Sequence, residues 1–287
     1  MAKQPARGEL TRNCAHKAIK VASSPRLRLL GEFRLELGTE HVDLSRNAQR
    51  LLAFMGLRGQ ACRTVLAGTL WPDVTEGRAR GSLRTTLWKL PRAEPPLIGC
   101  CGDVLRVTPA LRVDVHTLAR TALGVVQGND PAPHALPSLG LLTVEDLLPG
   151  WDEDWVVLER EHLRQLRLHA LDELAEALVR QGRPALAIEA AWASVRAEPL
   201  RESAHRAVVS AHLAEGNVGE AVRHYEAFCS LLAEELGVAP SPRFARMLPE
   251  RAGARRRKAA SCTRAFATTG SPSTTRWKDA STSCTWT

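Results

Sequence analysis

The sequence lacks the residue groupings that form common metal sites and disulfide frameworks. Its seven cysteines stand at irregular positions, and none belongs to a CxxC or CxxxH pair. This scatter argues against a zinc site and against a set of structural disulfides. The pattern is typical of a reduced cytoplasmic protein. We therefore expect no metal, no cofactor and a cytoplasmic location.

Long apolar runs and catalytic signatures are also missing. No stretch of about 18 apolar residues is present, so no membrane span is expected. The first residues carry scattered Lys and Arg and no apolar segment, which argues against a signal peptide. The chain contains no GxxxxGK phosphate loop, no GxSxG elbow and no HExxH helix. We therefore expect that the protein is not an enzyme.

Charge is distributed unevenly along the 287 residues, which are enough for about two domains. Residues 1–120 carry 20 Lys and Arg against 10 Asp and Glu, and residues 121–249 carry 11 against 19. Residues 250–287 carry 8 against 2. A basic front, an acidic middle and a basic tail predict that the front half binds a polyanion and that the middle has another role.

The front half has the pattern of a winged helix-turn-helix. Residues 27–37 alternate apolar and charged side chains, as a strand does. Apolar spacing then predicts a helix over about 44–57 and a shorter one over 63–71 that turns Val65, Leu66 and Leu70 inward. A loop at 71–77, with Thr75 as the expected N-cap, precedes a third helix over 78–90. Residues 97–107 predict two strands around a Gly102-Asp103 turn.

The third helix has a cationic outer face. Leu83, Leu87 and Leu90 form its apolar stripe, and no carboxylate occurs within 78–90. Such a face suits phosphates and base edges in a major groove, although basic helix faces are often only solvated surface. Trp88 is interpreted as a packing residue. The predicted DNA-binding residues are Arg78, Arg80, Ser82, Arg84, Thr85 and Lys89, of which Arg84 and Thr85 are assigned to base edges and Arg80 and Lys89 to phosphates.

The middle of the chain predicts a helical repeat. Ala177, Gly182, Ala187 and Ile188 recur 34 residues later as Ala211, Gly216, Ala221 and Val222. This is the period of tetratricopeptide helix pairs, which present a surface to other proteins. The predicted helices cover about 155–181, 184–197, 201–215 and 218–236. The predicted fold class is therefore mostly α with a small β component, a winged helix-turn-helix followed by an α-helical tetratricopeptide-like repeat domain.

Two polar groups in this region are given structural roles. Three carboxylates in "WDEDW", at 152–154, directly precede a long helix, where acids cap free amides and oppose the helix dipole. General acid-base chemistry would need two groups that converge on a cleft, so capping is the preferred interpretation. His205 shares a helical face with Glu202 and is also interpreted as structural.

Several segments together resemble the bacterial transcriptional activator domain proteins, the SARP-type antibiotic regulatory activators of actinomycetes. The similarity covers about residues 26–248. It rests on "LRLLGEFRLEL", "AQRLLAFMGL", "GTLWPDV", "SLRTTLWKL", "LLPGWDEDWV", "EREHLRQLRLHAL", "EPLRESAHRAVVSAHLAEGN", "EAVRHYE" and "ELGVAPSP". The resemblance implies an OmpR-like winged helix and a sequence-specific activator of secondary-metabolite or other pathway genes. It also implies binding to promoter direct repeats as a homodimer, recruitment of RNA polymerase and association with the nucleoid.

The resemblance assigns a role to the loop before the third helix. In winged helices of this type the loop contacts RNA polymerase, which here implicates Asp73, Val74, Thr75 and Glu76. The ordinary alternative is that Asp73 is a turn residue and Glu76 a first-turn helix acid. The chain departs from the family pattern at Pro91, which shortens the third helix and removes Arg92 from the expected groove contacts. No phosphate loop or receiver domain accompanies these segments, so neither a nucleotide nor aspartate phosphorylation is expected as a switch.

The expected organisation has five parts. They are a disordered basic arm at 1–25, a winged-helix DNA-binding domain at 26–120, a linker at 121–149, a tetratricopeptide-like activator domain at 150–248 and a tail at 249–287. The tail is rich in Ser, Thr and Arg, matches no known pattern and cannot bury a core, so it is either disordered or the product of a shifted reading frame. The alternative function is a protein-interaction adaptor whose winged helix does not read DNA.

Overall fold

The computed structural model describes residues 19–20, 24–128 and 135–248. The predicted tail and most of the predicted basic arm lie outside these residues. The contacts divide the chain into two compact units, residues 1–181 and 182–287, and each is described here by itself. In the part of the chain that is described, no helix has the length and apolar character that crossing a membrane requires.

The first unit combines short strands with six helices among its described residues. Its helices are α1 (Arg46–Arg58), α2 (Arg63–Leu70), α3 (Glu76–Lys89), α4 (Asp114–Val126), α5 (Ala135–Leu142) and α6 (Asp154–Arg180). Its strands are β1 (Ile19–Lys20), β2 (Arg26–Arg28), β3 (Arg34–Leu37), β4 (Glu40–His41), β5 (Gln60–Cys62), β6 (Ala93–Glu94), β7 (Ile98–Cys101), β8 (Val104–Val107) and β9 (Arg112–Val113). The predicted helices and strands of the front half are confirmed to within about two residues at each end.

The strands form three small sheets. One sheet has the order β4, β3, β2, β9, in which β9 pairs parallel to β2. A second has the order β5, β8, β7, and its β7 and β8 form the predicted antiparallel hairpin. In the third, β1 pairs with β6, so two residues of the predicted arm form a strand instead. Sheet, three helices and a terminal hairpin give the N-terminal region the winged helix-turn-helix form.

One apolar core fills the first unit. Alternate side chains of β2 and β3 point inward, as period-two patterning requires, and Leu27 and Leu35 are fully buried. The helices α1, α2 and α3 pack against one another, and their buried side chains join those of this sheet in one cluster. The predicted inward position of Val65 is wrong: this side chain is 50% exposed, because Leu66, Ala67 and Leu70 form the buried face of α2.

The segment expected to be a linker takes part in this core instead. It contains the second half of α4, all of α5 and the buried residues Leu147 and Leu148. Leu30 forms a β-bridge with Leu147, and α4 packs along α6. The Pro, Gly and Asn residues at 127–140 suggested a linker, but Leu142, Leu147 and Leu148, which follow them, are buried. The described part of the segment therefore belongs to the first unit.

The Asp114 carboxylate joins the sheet to α4. It accepts hydrogen bonds from the backbone N–H groups of Leu29 and Leu30 at 3.0 Å and from that of Val115 at 2.8 Å. Burial raises the pKa of Asp114, and these three donors act in the opposite direction. The carboxylate thus satisfies amides at the end of β2 that the sheet leaves without a partner.

The second unit is helical over its described residues. Its helices are α7 (Pro184–Ala197), α8 (Glu202–Ala214), α9 (Val218–Leu236) and the short α10 (Pro242–Ala245), and each of the long ones packs on the next. Small residues make these contacts close: Ala187, Ala204 and Ala221 are fully buried. Beyond α9, Ser241 donates to the Glu202 carboxylate through both its N–H and its hydroxyl, which holds α10 against α8.

Gly182 and Gly216, the predicted turn glycines, both adopt positive φ, at 68° and 79°. A Cβ atom at either position would meet no heavy atom within 4 Å. Only the backbone conformation therefore requires glycine, since L side chains are disfavoured at positive φ. Steric exclusion plays no part at these turns.

Replacing Gly216 by Ala is expected to lower the free energy of unfolding by about 1 to 2 kcal/mol, which is the cost of holding a Cβ in the left-handed region. Gly219 is the matched control, because it lies in α9 with ordinary φ and open space around it. Gly219→Ala should leave stability unchanged or raise it. Urea unfolding followed by circular dichroism measures both, and equal effects of the two variants would contradict this account.

Two histidines, the buried His205 and the half-buried His224, join α8 to α9. His205 Nδ1 lies 2.9 Å from His224 Nε2, and His205 Nε2 lies 2.9 Å from the Pro199 carbonyl oxygen. A carbonyl only accepts, so His205 Nε2 donates to it and the neutral Nδ1 accepts from His224. His205 also stacks on Phe228, with ring centroids 4.0 Å apart. The structural role predicted for His205 fits this position.

Both rings resist protonation. Burial lowers the pKa of His205. Burial, with smaller contributions from His205 and His212, lowers the pKa of His224 to about 4. At these two histidines the unfolded chain therefore binds more protons than the folded chain between about pH 4 and pH 6.5, so their contribution to stability rises with pH across that window.

Unfolding of the full chain in urea is expected to require progressively less denaturant as the pH falls from about 6.5 toward 4. His224→Gln keeps a polar side chain but cannot titrate, so it should flatten this dependence. His41→Gln, at an exposed residue of β4, serves as the control and should retain the full slope. If His224→Gln leaves the slope unchanged, another group is responsible for the pH dependence.

Candidate nucleic-acid interface

The limits of α3 follow from the residues at its two ends. Thr75 occupies the N-cap position with extended φ and ψ of −61° and 150°. Its side chain makes no capping hydrogen bond, so the expected capping contact of Thr75 is absent. At the other end Leu90 is extended, because the following Pro91 excludes it from the helical region. The helix thus ends at Lys89, two residues before Pro91.

One face of α3 packs on the core. Ala79, Leu83 and Thr86 are buried, and Leu87 and Leu90 are partly buried. The Thr86 hydroxyl donates to the Ser82 carbonyl oxygen at 2.8 Å, so its burial leaves no unsatisfied polar group. Ala79 continues the buried stripe one turn before Leu83. The close packing at Ala79 brings the start of α3 near α2.

The opposite face carries the predicted DNA-binding residues, and the structure brings them together on one exposed surface. Ser82 is half-buried, and the Thr85 hydroxyl donates to the Gly81 carbonyl oxygen at 3.0 Å. Arg78, Arg84 and Lys89 are exposed, and none of their side chains forms an ion pair or hydrogen bond with another described residue. Three cations on this face are therefore available to an anionic partner.

Arg80 differs from the other arginines of α3. Its guanidinium lies 2.7 Å from the Glu76 carboxylate and donates to the Thr64 hydroxyl at 3.2 Å. The pair is mostly exposed, so its contribution to stability is small. It nevertheless holds Arg80 toward α2. Glu76 therefore places one carboxylate beside the cationic face, one helical turn before Arg80. It lies just outside residues 78–90, the range predicted for the helix.

Trp88 is 70% exposed, so its interpretation as a packing residue is wrong. It stands one helical turn beyond Arg84 on the outer face, and Leu87 provides the apolar contact with the core. The spacing of residues 84 and 88 carried this signal, since residues four apart share a face. The prediction instead followed the general tendency of tryptophan side chains to be buried. Trp88 adds an apolar surface between cationic side chains.

The wing lies beside the N-terminus of α2. Gly102 turns the β7–β8 hairpin with φ of 61°, and the Asp103 carbonyl oxygen accepts from the Arg63 N–H at 3.0 Å. The Arg63 guanidinium donates to Cys100 Sγ at 3.3 Å. Arg106 is exposed on β8. These contacts fix the hairpin to the helical part, and sequence reasoning did not single out Arg63 because it shows no periodic pattern.

The loop between α2 and α3 is exposed at every residue from Pro72 to Glu76. The Asp73 carboxylate has no ion pair with any described residue, and Val74 is 42% exposed. Glu76 contacts Arg80, as described above. Asp73, Val74, Thr75 and Glu76 therefore form an acidic and partly apolar projection beside the cationic face of α3.

The acidic cluster before α6 does not cap that helix as predicted. Glu153 occupies the N-cap position but makes no capping hydrogen bond. Its carboxylate instead lies 3.1 Å from Arg46 and 2.9 Å from Arg50, because the two cations of α1 offer it a stronger partner than the helix amides.

Among the described residues, no group of three or more His, Cys, Asp and Glu side chains is arranged to hold a metal ion.

Comparison with known proteins agrees with this geometry. The bacterial transcriptional activator domain family matches residues 139–250. The fold is similar to that of EmbR from Mycobacterium tuberculosis, in a structure of EmbR in complex with a low-affinity phosphopeptide. The TM-score is 0.62 at 18% identity, over 85% of this chain and 71% of the EmbR chain. A comparison with curated proteins gives no match.

The matched range begins in α5 of the first unit and extends through the second unit. The N-terminal region that precedes it has the winged helix-turn-helix form that accompanies such a domain in the resembled proteins. The chain therefore combines a winged helix-turn-helix region with a segment, residues 139–250, that is similar to the bacterial transcriptional activator domain.

Proposed function

We propose that the protein is a sequence-specific DNA-binding transcriptional activator that inserts α3 into the major groove. The observation that carries the proposal is the outer face of α3, where Arg78, Arg84 and Lys89 are exposed and make no ion pair with described residues. Counterion release from DNA favours such cations, and their extended side chains reach both phosphates and base edges. The wing beside α2 supplies a second contact with the duplex.

The residues of α3 divide into two roles. Arg84 and Thr85 lie near the middle of the exposed face and contact base edges, with Ser82 beside them; an arginine binds guanine O6 and N7 in bidentate fashion. Lys89 at the C-terminal end and Arg78 at the N-terminal end contact phosphates. Arg80 contacts phosphate as well, after exchange of its Glu76 partner for the DNA backbone.

The wider organisation follows the family. The winged-helix region at 26–120 binds DNA, and a tetratricopeptide-like domain at 150–248 binds protein partners. The described residues of 121–149 pack in the first unit and do not act as a separate linker. Two copies bind direct repeats at a promoter as a homodimer, which raises affinity through effective concentration. The protein acts in the cytoplasm at the nucleoid and controls secondary-metabolite or other pathway genes.

Two substitutions test the assignment of α3. Lys89→Ala should weaken binding to operator and to unrelated DNA alike and lower the log-log salt slope by about one unit. Arg84→Ala should cost about 1 to 3 kcal/mol on the operator and relax selectivity at one base pair. Gel shifts at several salt concentrations, on DNA fragments selected by the protein from a random pool, measure both effects.

Arg34→Ala is the matched control, since Arg34 is an exposed arginine of β3, outside α3 and the wing. It should bind DNA as the parent chain does. If Arg84→Ala and Lys89→Ala also bind normally while their circular dichroism spectra are native, α3 does not read DNA and the adaptor alternative holds.

The loop before α3 is the proposed contact with RNA polymerase. Its carboxylate at Asp73 is exposed and lacks an ion-pair partner among the described residues, next to a helix that binds a polyanion. The negative charge of Asp73 repels DNA phosphates, so it does not contribute to DNA binding. It is complementary to a basic surface on the polymerase. Val74 adds an apolar contact to the same projection.

Asp73→Lys is expected to leave operator affinity unchanged or raised, because a repulsive charge becomes attractive to DNA. Transcription in vitro from the same promoter should fall several-fold at saturating protein. Asp103→Lys provides the comparison, since it adds an equal charge at the wing turn rather than in the loop. If transcription with Asp73→Lys remains proportional to promoter occupancy, as in the parent chain, the loop does not contact the polymerase and only connects α2 to α3.

A further inference from the structure

A large open pocket lies at the base of the wing. It has a volume of about 870 Å³, within the range of natural ligand pockets. Three elements surround it: the end of α1 at Gly59, the end of β8 at Val107, and the segment from Leu111 to the first turns of α4. All of its lining residues belong to the first unit. None of them lies on α3 or in the 71–77 loop.

The lining of this wing-base pocket is cationic. Arg112, His116 and Arg120 line it, and no carboxylate does. None of these three side chains forms an ion pair or hydrogen bond with a described residue. In contrast to Arg80 on α3, which has Glu76, the two arginines of the pocket have no acid to neutralise them within the described chain.

The acids on the adjoining strands are already engaged. Arg26 lies beside Arg112 in the parallel pairing of β2 and β9, and it adds a further exposed cation. Glu36, opposite Arg26 on β3, pairs instead with Arg28 at 3.2 Å. Asp114 follows β9 directly, but its carboxylate accepts from three backbone N–H groups, as described above. The positive charge of the pocket is therefore not compensated by its neighbours.

Neutral residues complete the lining. Thr117 and Thr121 on α4 present hydroxyls that bond to no other described residue, whereas Thr108 already donates to the Pro96 carbonyl oxygen at 2.6 Å. Leu111 and Val113 are buried and form an apolar floor. No Phe, Tyr or Trp side chain lines the pocket, so stacking on a large aromatic side chain is not available. Guanidinium and hydroxyl donors over an apolar floor suit charged oxygen groups on a small molecule.

We propose that the wing-base pocket binds a small polyanionic metabolite that carries phosphate or carboxylate groups. Two arginines hold its charged groups, since guanidinium forms bidentate hydrogen bonds to either kind of oxyanion. Thr117 and Thr121 donate further hydrogen bonds, and the body of the ligand lies on Leu111 and Val113. The site does not depend on the DNA-binding proposal, because no residue of the predicted DNA face takes part.

Isothermal titration of the full chain tests the site directly. Inorganic pyrophosphate represents the phosphate ligands, citrate the carboxylate ligands, and trehalose serves as an uncharged control. We expect one of the two anions to bind at a single site, and trehalose to give no heat. Which of the two binds more tightly identifies the chemical source of the charge.

Two arginine variants locate the site. Arg112→Gln and Arg120→Gln should each weaken binding of that anion about tenfold, the usual effect of one lost charge-assisted hydrogen bond. Arg34→Gln, an exposed strand arginine outside the pocket, should bind the anion normally. Operator binding by the two pocket variants should match that of the parent chain, in contrast to Lys89→Ala.

Three results would overturn the proposal. The first is the absence of binding by both anions at millimolar concentration. The second is an equal loss in Arg34→Gln and the pocket variants, which would show general attraction to a basic surface. The third is a loss of operator affinity in Arg112→Gln and Arg120→Gln without any anion binding in the parent chain, which would assign these charges to the DNA backbone. None of these depends on whether α3 reads sequence.

Discussion

The carboxylate of Glu153 fixes the arrangement on which the rest of the first unit depends. It pairs with Arg46 and Arg50 at the start of α1, and it is itself only 16% exposed. The Arg46 guanidinium also lies 3.7 Å above the ring centroid of Trp151. Partial exclusion of water strengthens both contacts relative to those of a surface pair. A single acid thereby holds α1 to the start of α6.

A chain of aromatic rings extends this connection into the core. Trp151 stacks on Phe33, with ring centroids 6.1 Å apart, and meets Trp155 edge to face at 6.5 Å. Trp155 in turn packs against Phe54 of α1 at 5.3 Å. Below these rings Arg160 donates to the carbonyl oxygens of Leu147, Leu148 and Trp151, which closes the turn before α6. The position of α1, against which α3 packs, therefore depends on residues more than 90 positions away.

Much of this architecture was accessible from the sequence because its causes are local. Periodic apolar residues located α1, α3 and the repeat helices, Pro91 located the end of α3, and Gly102 located the wing turn. The outer residues of α3 followed from the same spacing. These features require knowledge of only one turn of helix or one hairpin at a time.

The sequence-based predictions were wrong where a side chain or segment contacts residues that lie outside its own predicted element. Glu153 had an ordinary local role as a cap, and only the fold brings Arg46 and Arg50 to it. Arg80 was counted among free cations because its acid lies just outside the helix as predicted. Residues 121–149 read as a connection because their Pro and Gly content is a local signal, whereas the burial of Leu147 and Leu148 is not. The wing-base pocket has no sequence signature, since its lining comes from three separate segments.

The aromatic core has a consequence for how such chains diversify. Trp151 and Trp155 are buried within the winged helix, yet both lie inside the range that matches the activator domain family. Recombination that joined a different winged helix at residue 120 would remove Phe33 and Phe54, against which Trp151 and Trp155 pack. Both tryptophans would then be exposed to water. The crossover point that preserves packing lies beyond α6. Residues on the exposed face of α3 can therefore change without disturbing this core, whereas exchange of the whole region before residue 120 cannot.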